Sequence, residues 1–223
     1  MSYKYELHCH TKEVSRCGAV PAAEIVKMYK ENSYDGIVIT DHYSPMTFNL
    51  SNVWRPQTAM DFYTKGYREA LKAAGDDFTV LLGMELRYYA TANDYLVYGV
   101  TEEFLRNNGN LMKKYPRRFY ALAKKNGLLV LQAHPFRDMM IRTNPKYLDG
   151  TEAFNGKATK EQNLKSEAWG KENKMQILSS GSDFHRPKNF AKGGIITETP
   201  IKTNNDLIKI LTSGSFERIE NYD

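Results

Sequence analysis

Five histidines carry most of the chemistry available to this chain, and each falls where an apolar or strand-like run turns polar. His8 and His10 lie in Tyr5-Glu6-Leu7-His8-Cys9-His10-Thr11, and His42 follows Ile37-Val38-Ile39-Thr40-Asp41. His134 lies in Leu131-Gln132-Ala133-His134-Pro135, and His185 ends Gly181-Ser182-Asp183-Phe184-His185. Strand side chains alternate, so His8 and His10 are expected on one face with Cys9 pointing away. Asp183 and His185 repeat the same spacing, and Glu85 is expected at the strand end of Val80-Leu81-Leu82-Gly83-Met84-Glu85. Imidazole with carboxylate suits Zn²⁺, Mn²⁺ or Fe²⁺, and a carboxylate can bridge neighbouring ions. One strand-end histidine alone would be a cap, and one glutamate an ion-pair partner. Two such pairs, two further histidines and a glutamate together read as a metalloenzyme.

The elements that must position these residues follow from periodicity. Strands are predicted at 5–10, 36–40, 78–82, 95–98, 128–131, 151–154 and 176–179, with a last apolar pair at Ile195-Ile196. Helices are predicted from Pro21 through Met28, over 60–74, over 116–126 with Gly127 near the C-cap, between Thr159 and Lys174, and over 204–211. About seven strand–helix units predict a parallel α/β fold, either a barrel or an open doubly wound sheet, whose strand C-termini form the ligand-binding rim. Two connections, 43–58 and 135–150, carry aromatics and arginines with little periodicity and read as lids, binding loops or packing elements.

At its histidine segments the chain resembles the PHP family, the polymerase and histidinol phosphatase superfamily. The matching pieces are Glu6-Leu7-His8-Cys9-His10-Thr11, Thr40-Asp41-His42, Gly83-Met84-Glu85, Ala133-His134-Pro135 and Gly181-Ser182-Asp183-Phe184-His185, in the family's order. The resemblance implies a distorted (β/α)7 barrel with two or three divalent metal ions (Zn, Mn or Fe) at the strand C-termini. It also implies phosphoester hydrolysis. Carried over by motif, His8, His10 and Asp183 resemble ligands of a first metal, Glu85 bridges to a second, and His134 holds the second with Asp94. Asp94 begins Asp94-Tyr95-Leu96-Val97-Tyr98-Gly99, where the family strand often begins with histidine. His42 and His185 resemble ligands of a third metal. The departure comes after His10, where relatives often place a histidine or aspartate and this chain has Ser15-Arg16-Cys17. Cys17 is either a thiolate ligand for a soft metal or a small loop residue.

The chemistry this implies is hydrolysis through a hydroxide bridging two metals ~3.5–4 Å apart, attacking phosphorus in line. His42, His185 and Glu85 are the catalytic candidates, the two histidines on the leaving side. Arg16, Arg137 and Asn155 are the substrate-binding candidates, although Asn155 before Gly156 also suits a turn. Arg142 and Asp41 read more simply as a loop salt bridge and a loop cap, and Glu152 follows another predicted strand. Phe48 and Trp54 could cover an apolar part of the substrate but more simply pack their loop.

Composition sets the outer limits. The 223 residues are 41% hydrophobic and 26% charged, which excludes a disordered or collagen-like chain and fits one catalytic domain over 1–223. No apolar run approaches the ~20 residues of a membrane span, so no membrane partner is expected. Two cysteines cannot build a disulfide framework, and the start, Met1-Ser2-Tyr3-Lys4, lacks a secretory core, so a cytoplasmic location is expected. The net charge of +5 could favour an anionic substrate or nucleic acid, but reads more simply as a well-solvated surface rich in lysine. The densest basic run, Lys113-Lys114-Tyr115-Pro116-Arg117-Arg118, could meet nucleic acid, but reads better as the outer face of a helix. The expected partner is therefore a small phosphorylated substrate, a phosphomonoester. The alternatives are a nuclease or oligonucleotide phosphoesterase, and a non-catalytic metal-stabilised binding module.

Overall fold

The computed structural model describes residues 2–50 and 56–222. Eleven strands in these residues form two sheets. The first has the order β11 (Glu217–Glu220), β10 (Gly193–Thr197), β1 (Tyr3–Cys9), β2 (Gly36–Ile39), β4 (Thr79–Leu82). The second runs β3 (His42–Tyr43), β5 (Met84–Arg87), β6 (Asp94–Tyr98), β7 (Leu129–Gln132), β8 (Gly150–Asn155), β9 (Ile177–Gly181). The chain passes from one sheet to the other within two short stretches, 36–43 and 79–87. Cys9 also bridges in parallel to Phe184, beyond β9, so the sheets meet again at β1.

The sheets are mixed rather than all parallel as expected. β1 with β10, β10 with β11, β5 with β6, and β6 with β7 pair antiparallel, while the other neighbours are parallel. Only six residues join β5 to β6, too few for a parallel crossover. That reversal places Asp94, the first residue of β6, opposite Arg87 at the end of β5. Glu85 is a correction to the sequence reading: it lies inside β5 rather than at a strand end.

Eight helices cover the described chain: α1 (Ala22–Glu31), α2 (Pro45–Leu50), α3 (Pro56–Tyr63), α4 (Lys65–Ala74), α5 (Glu102–Asn107), α6 (Tyr115–Lys125), α7 (Lys160–Glu172) and α8 (Asn204–Ser213). Capping boxes at Thr159 with Gln162 and Thr203 with Asp206 start α7 and α8. The helix expected over 60–74 is two, broken at Thr64, and its first half begins at Pro56, inside a stretch expected to be loop.

Three apolar clusters account for the layers. Tyr5, Leu7, Val38 and Leu81 of the first sheet meet Leu96, Leu129, Leu131 and Ile177 of the second, with Leu207 and Leu211 of α8 beside them. Ile25, Val26 and Tyr29 of α1 and Ala70 of α4 cover the other face of β2 and β4 at Ile37, Ile39 and Val80. Met60 and Tyr63 of α3, Phe104 of α5 and Phe119 of α6 cover Met84, Leu86, Val97 and Val130. Burying these side chains is worth roughly 1.5–3 kcal/mol each and sets the scaffold that the polar centre must tolerate.

Candidate metal centre

The centre begins with a slip in β1. Its pairing with β2 shifts between Glu6 and Cys9, so Tyr5 and Leu7 pack in the inner cluster while Cys9 packs in the outer one. His8 and His10, on either side of Cys9, turn inward, with ring centroids 5.0 Å apart. Glu6 stays on the outer side, fully buried, accepting from Tyr29 Oη (2.9 Å) and from the backbone N–H groups of His8 (2.8 Å) and Ser182 (2.9 Å). This one carboxylate joins β1 to the segment that carries Asp183.

Around Glu85 the side chains converge. His8 Nε2 lies 3.4 Å from Glu85 Oε1, His134 Nε2 3.0 Å from the same oxygen, and His42 Nδ1 2.5 Å from Glu85 Oε2. His10 Nε2 lies 3.4 Å from both Glu85 Oε2 and Asp183 Oδ1, and His8 Nε2 lies 3.6 Å from Asp183 Oδ1. Asp94 Oδ2 is 3.9 Å from His134 Nε2 and pairs with Arg87 at 2.5 Å. His185 Nδ1 is 3.1 Å from Asp183 Oδ1. His134 and Asp183 both take left-handed backbone, φ 27° and 51°, so Asp183 and His185 share the centre without lying on a strand as expected. Such conformations cost of order 1–3 kcal/mol and persist where the surroundings over-determine them.

These side chains fit divalent cations. His8 Nε2 and His10 Nε2 are buried without a hydrogen bond among the described residues, although a buried polar atom ordinarily has one, and Glu85 Oε2 faces His42 Nδ1 and His10 Nε2 together. Four overlapping triads bring ligand atoms within 4.8 Å of one another: His8, His10, Glu85; His8, His134, Asp183; Glu85, Asp94, His134; and His10, His42, His185. Glu152 Oε1 lies 2.8 Å from His8 Nδ1, which fixes the ring and leaves Nε2 free to bind.

Without cations the charges redistribute. Burial opposes protonation of His8, but the carboxylates of Glu152, Asp183 and Glu85 outweigh it and raise its pKa well above the usual value. Burial likewise opposes charge on His42, and Glu85 and Cys17 raise it. At His185 burial is again outweighed, by Asp183 and Cys17, and its pKa is pushed up to about 9. His10 is driven down by burial and by the neighbouring His185 and His42. Burial would raise both acids, but His42 and His8 hold Glu85 far below the usual range, and His8, His10, His185 and Arg137 do so for Asp183.

The remaining sequence candidates separate. Arg137 reaches the centre, pairing with Asp183 Oδ2 at 2.5 Å and approaching His134 Nε2 at 3.3 Å. Asn155 is fully buried: its amide donates to Glu152 Oε2 (2.9 Å) and Asp183 Oδ2 (3.4 Å), so it braces two carboxylates instead of facing the rim. Arg16 is exposed, with no ion pair among the described residues. Exposed Cys17 faces both His42 and His185, whose contacts outweigh burial and lower its thiol to about 6. Asp41 accepts from Thr11 N and Oγ1 (both 2.7 Å) and Ser15 Oγ (2.6 Å), tying the loop after His10 to β2; burial raises its pKa to about 6. Arg142 lies over the Phe136 ring, 5.1 Å from its centroid, and Phe48 packs on Tyr43 and Tyr63. Trp54 lies outside the described residues. Three contributors were not singled out from sequence: Glu6, Glu152 as the partner of His8, and Lys157, whose Nζ lies 3.4 Å from Asp183 Oδ2.

Comparison with known proteins decides the family. The PHP domain model matches residues 6–198. The chain belongs to the PHP family. No curated protein matches its sequence. Among solved structures it is similar to PsfC from Pseudomonas syringae, with TM-score 0.73 and 15% identity over 99% of this chain and 92% of that one. It is also similar to a two-domain protein from Bacteroides vulgatus containing a predicted PHP-like metal-dependent phosphoesterase, with TM-score 0.68 and 14% identity. That match covers 99% of this chain and 65% of the other, so this chain spans just under two thirds of that protein's length. An amidohydrolase from Chromobacterium violaceum with bound sulfate aligns with TM-score 0.55 and 15% identity, over 96% of this chain and 97% of that one. At these identities the likeness is one of fold. This chain of the PHP family is thus a mixed α/β protein with a His/Glu/Asp cluster that could hold metal.

Proposed function

We propose that this PHP chain is a metal-dependent phosphoesterase that hydrolyses a small phosphomonoester with two or three divalent cations. The observation that carries the reading is the two buried nitrogens without hydrogen bonds, His8 Nε2 and His10 Nε2, converging with Glu85 and Asp183 amid three further histidines. His8, His10, Glu85 and Asp183 would hold one cation, Glu85, His134 and Asp94 a second, and His42 and His185 a third. Bound there, the cations would supply an activated water and neutralise phosphate charge. Arg137, between Asp183 and His134, is placed to pair with phosphate oxygens and orient the ester. His185 or His42 donates a proton to the leaving alkoxide when it is not itself committed to a cation. Asn155 and Glu152 keep Asp183 and His8 aimed.

We also read residues 1–223 as one domain and its two sheets as one distorted barrel. Support comes from the inner cluster shared by both sheets, the passages through 36–43 and 79–87, and the bridge from Cys9 to Phe184. The nuclease alternative finds less support. Lys113, Arg117 and Arg118 lie exposed on or just before α6 and form no ion pair with the centre's carboxylates among the described residues, whereas a polynucleotide needs many phosphate contacts along a groove.

The test is hydrolysis of p-nitrophenyl phosphate by metal-reconstituted protein, beside the Glu85→Ala variant. Losing a Lewis-acid site worth several kcal/mol should cost about 10³-fold or more in kcat, with the circular dichroism spectrum retained. Wild-type-like turnover in Glu85→Ala would overturn the reading.

A further inference from the structure

Next to the centre lies a pocket of about 550 Å³ lined by Lys157, His185, Arg186, Lys188, Asn189 and Lys192, together with Cys17 and Gly156. No acidic side chain lines it. Arg186, Lys188 and Lys192 have no carboxylate within ion-pair distance among the described residues, whereas Arg68, Arg106, Lys124 and Arg218 elsewhere are all paired. Lys157 marks the boundary, since its Nζ lies 3.3 Å from His185 Nδ1 and 3.4 Å from Asp183 Oδ2. The pocket therefore opens directly onto the centre through His185.

Several unneutralised cations converging in a concave site repel one another and focus a positive field. An anion relieves both. The scissile phosphate does not need this pocket, because Arg137, which does not line it, and the bound cations would meet that phosphate at the centre itself. The basic run at α6 differs in shape: its cations sit on a helix surface and converge on nothing.

Resting on the phosphoesterase reading, we infer that the substrate carries a second anionic group, phosphate or carboxylate, which Arg186, Lys188 and Lys192 hold while the ester lies at the centre. The preferred substrate is then a small molecule with two anionic ends, and the pocket selects against esters with a neutral tail.

The test uses the metal-loaded full chain and a matched pair of probes, propyl phosphate and propane-1,3-diyl bisphosphate. A charge-assisted contact to one extra anion should raise kcat/KM for the bisphosphate about tenfold or more, through KM. The Lys188→Gln/Lys192→Gln variant should lose that preference while hydrolysing propyl phosphate as the wild type does. Binding of the non-hydrolysable propane-1,3-diyl bisphosphonate and of propylphosphonate, followed calorimetrically, separates the two readings. Failure to hydrolyse either ester sinks the phosphoesterase reading alone, provided the bisphosphonate still binds about tenfold tighter and only through the two lysines. Equal affinity for the two phosphonates, or a preference surviving the double substitution, overturns the second-anion site. A single-stranded oligonucleotide displacing the bisphosphonate at the same phosphate concentration would overturn it too, in favour of a polymeric ligand.

Discussion

His8 is held at Nδ1 by Glu152, while its Nε2 faces Glu85 Oε1 at 3.4 Å and Asp183 Oδ1 at 3.6 Å. The histidine spacing was legible because it is local: His8 lies near the end of β1 and His10 directly after it. The role of Glu152 was not, because its partner lies 144 residues away and nothing local marks the pairing. Glu6 was hidden in the same way, its bond to Ser182 spanning 176 residues. Removing the Glu152 charge should therefore loosen His8 without unfolding the chain. Glu152→Gln is expected to lower metal affinity or activity about 10–100-fold, measured by competition with a chromophoric chelator, and unchanged affinity would count against this role. The histidines also set a pH dependence. In the metal-free chain the pKa values of His8, His42 and His185 are raised, so their stabilisation is complete below the ordinary 6.5 and is lost as pH rises, for His185 through about 9. Cations need neutral imidazoles and so displace those protons, while Glu85 and Asp183 are already ionised. The gap in Tm between metal-loaded and metal-free protein should widen from pH 6.5 to 8.5. A gap that narrows would mean that these histidines do not bind the metal.

Elements position these residues through irregularities rather than ideal geometry. The slip in β1 turns His8 and His10 inward, and one in β8 between Glu152 and Phe154 lets Asn155 reach Glu152 although it lies three residues on. Neither slip leaves a trace in the hydrophobic pattern, which reads only where strands exist. Strand direction was partly legible. The six residues between β5 and β6 forbid a parallel crossover, whereas the connection from β6 to β7 carries two helices and still returns antiparallel. Helix α2 and the start of α3 lack the periodicity that would separate them from loop, and apolar residues of the two, such as Phe48, Met60 and Tyr63, join the cluster that α5 and α6 also cover. A tight point between elements beside the centre is Gly181, the last residue of β9. A Cβ there would sit 2.5 Å from His8 Cβ and 2.9 Å from Glu152 Oε1. Gly181→Ala should thus cost about 1–3 kcal/mol by overpacking, and disturb the His8–Glu152 pair as well. Calorimetry should show a Tm lower by roughly 2–4 °C per kcal/mol, with weakened metal binding. Wild-type values for both would show that the strand end has room to give.

Among the described residues, two sheets and their helices bury three apolar clusters and leave one polar focus where strands from both sheets bring their histidines together. Among the described residues no helix is long and apolar enough to cross a membrane. From sequence the +5 charge reads most simply as a lysine-rich surface, and the grouping of cations beside His185 was not legible, since Lys157 and Lys192 come from separate connections. Everything proposed about catalysis, substrate and pH rests on cations occupying the focus. Anomalous scattering from crystals of the metal-reconstituted protein tests that most directly. The account predicts at least two peaks about 3.5–4 Å apart, a spacing typical of two-metal sites, astride Glu85 and within reach of His8, His10, His134 and Asp183. No peak there after reconstitution, or peaks only elsewhere on the chain, would contradict it.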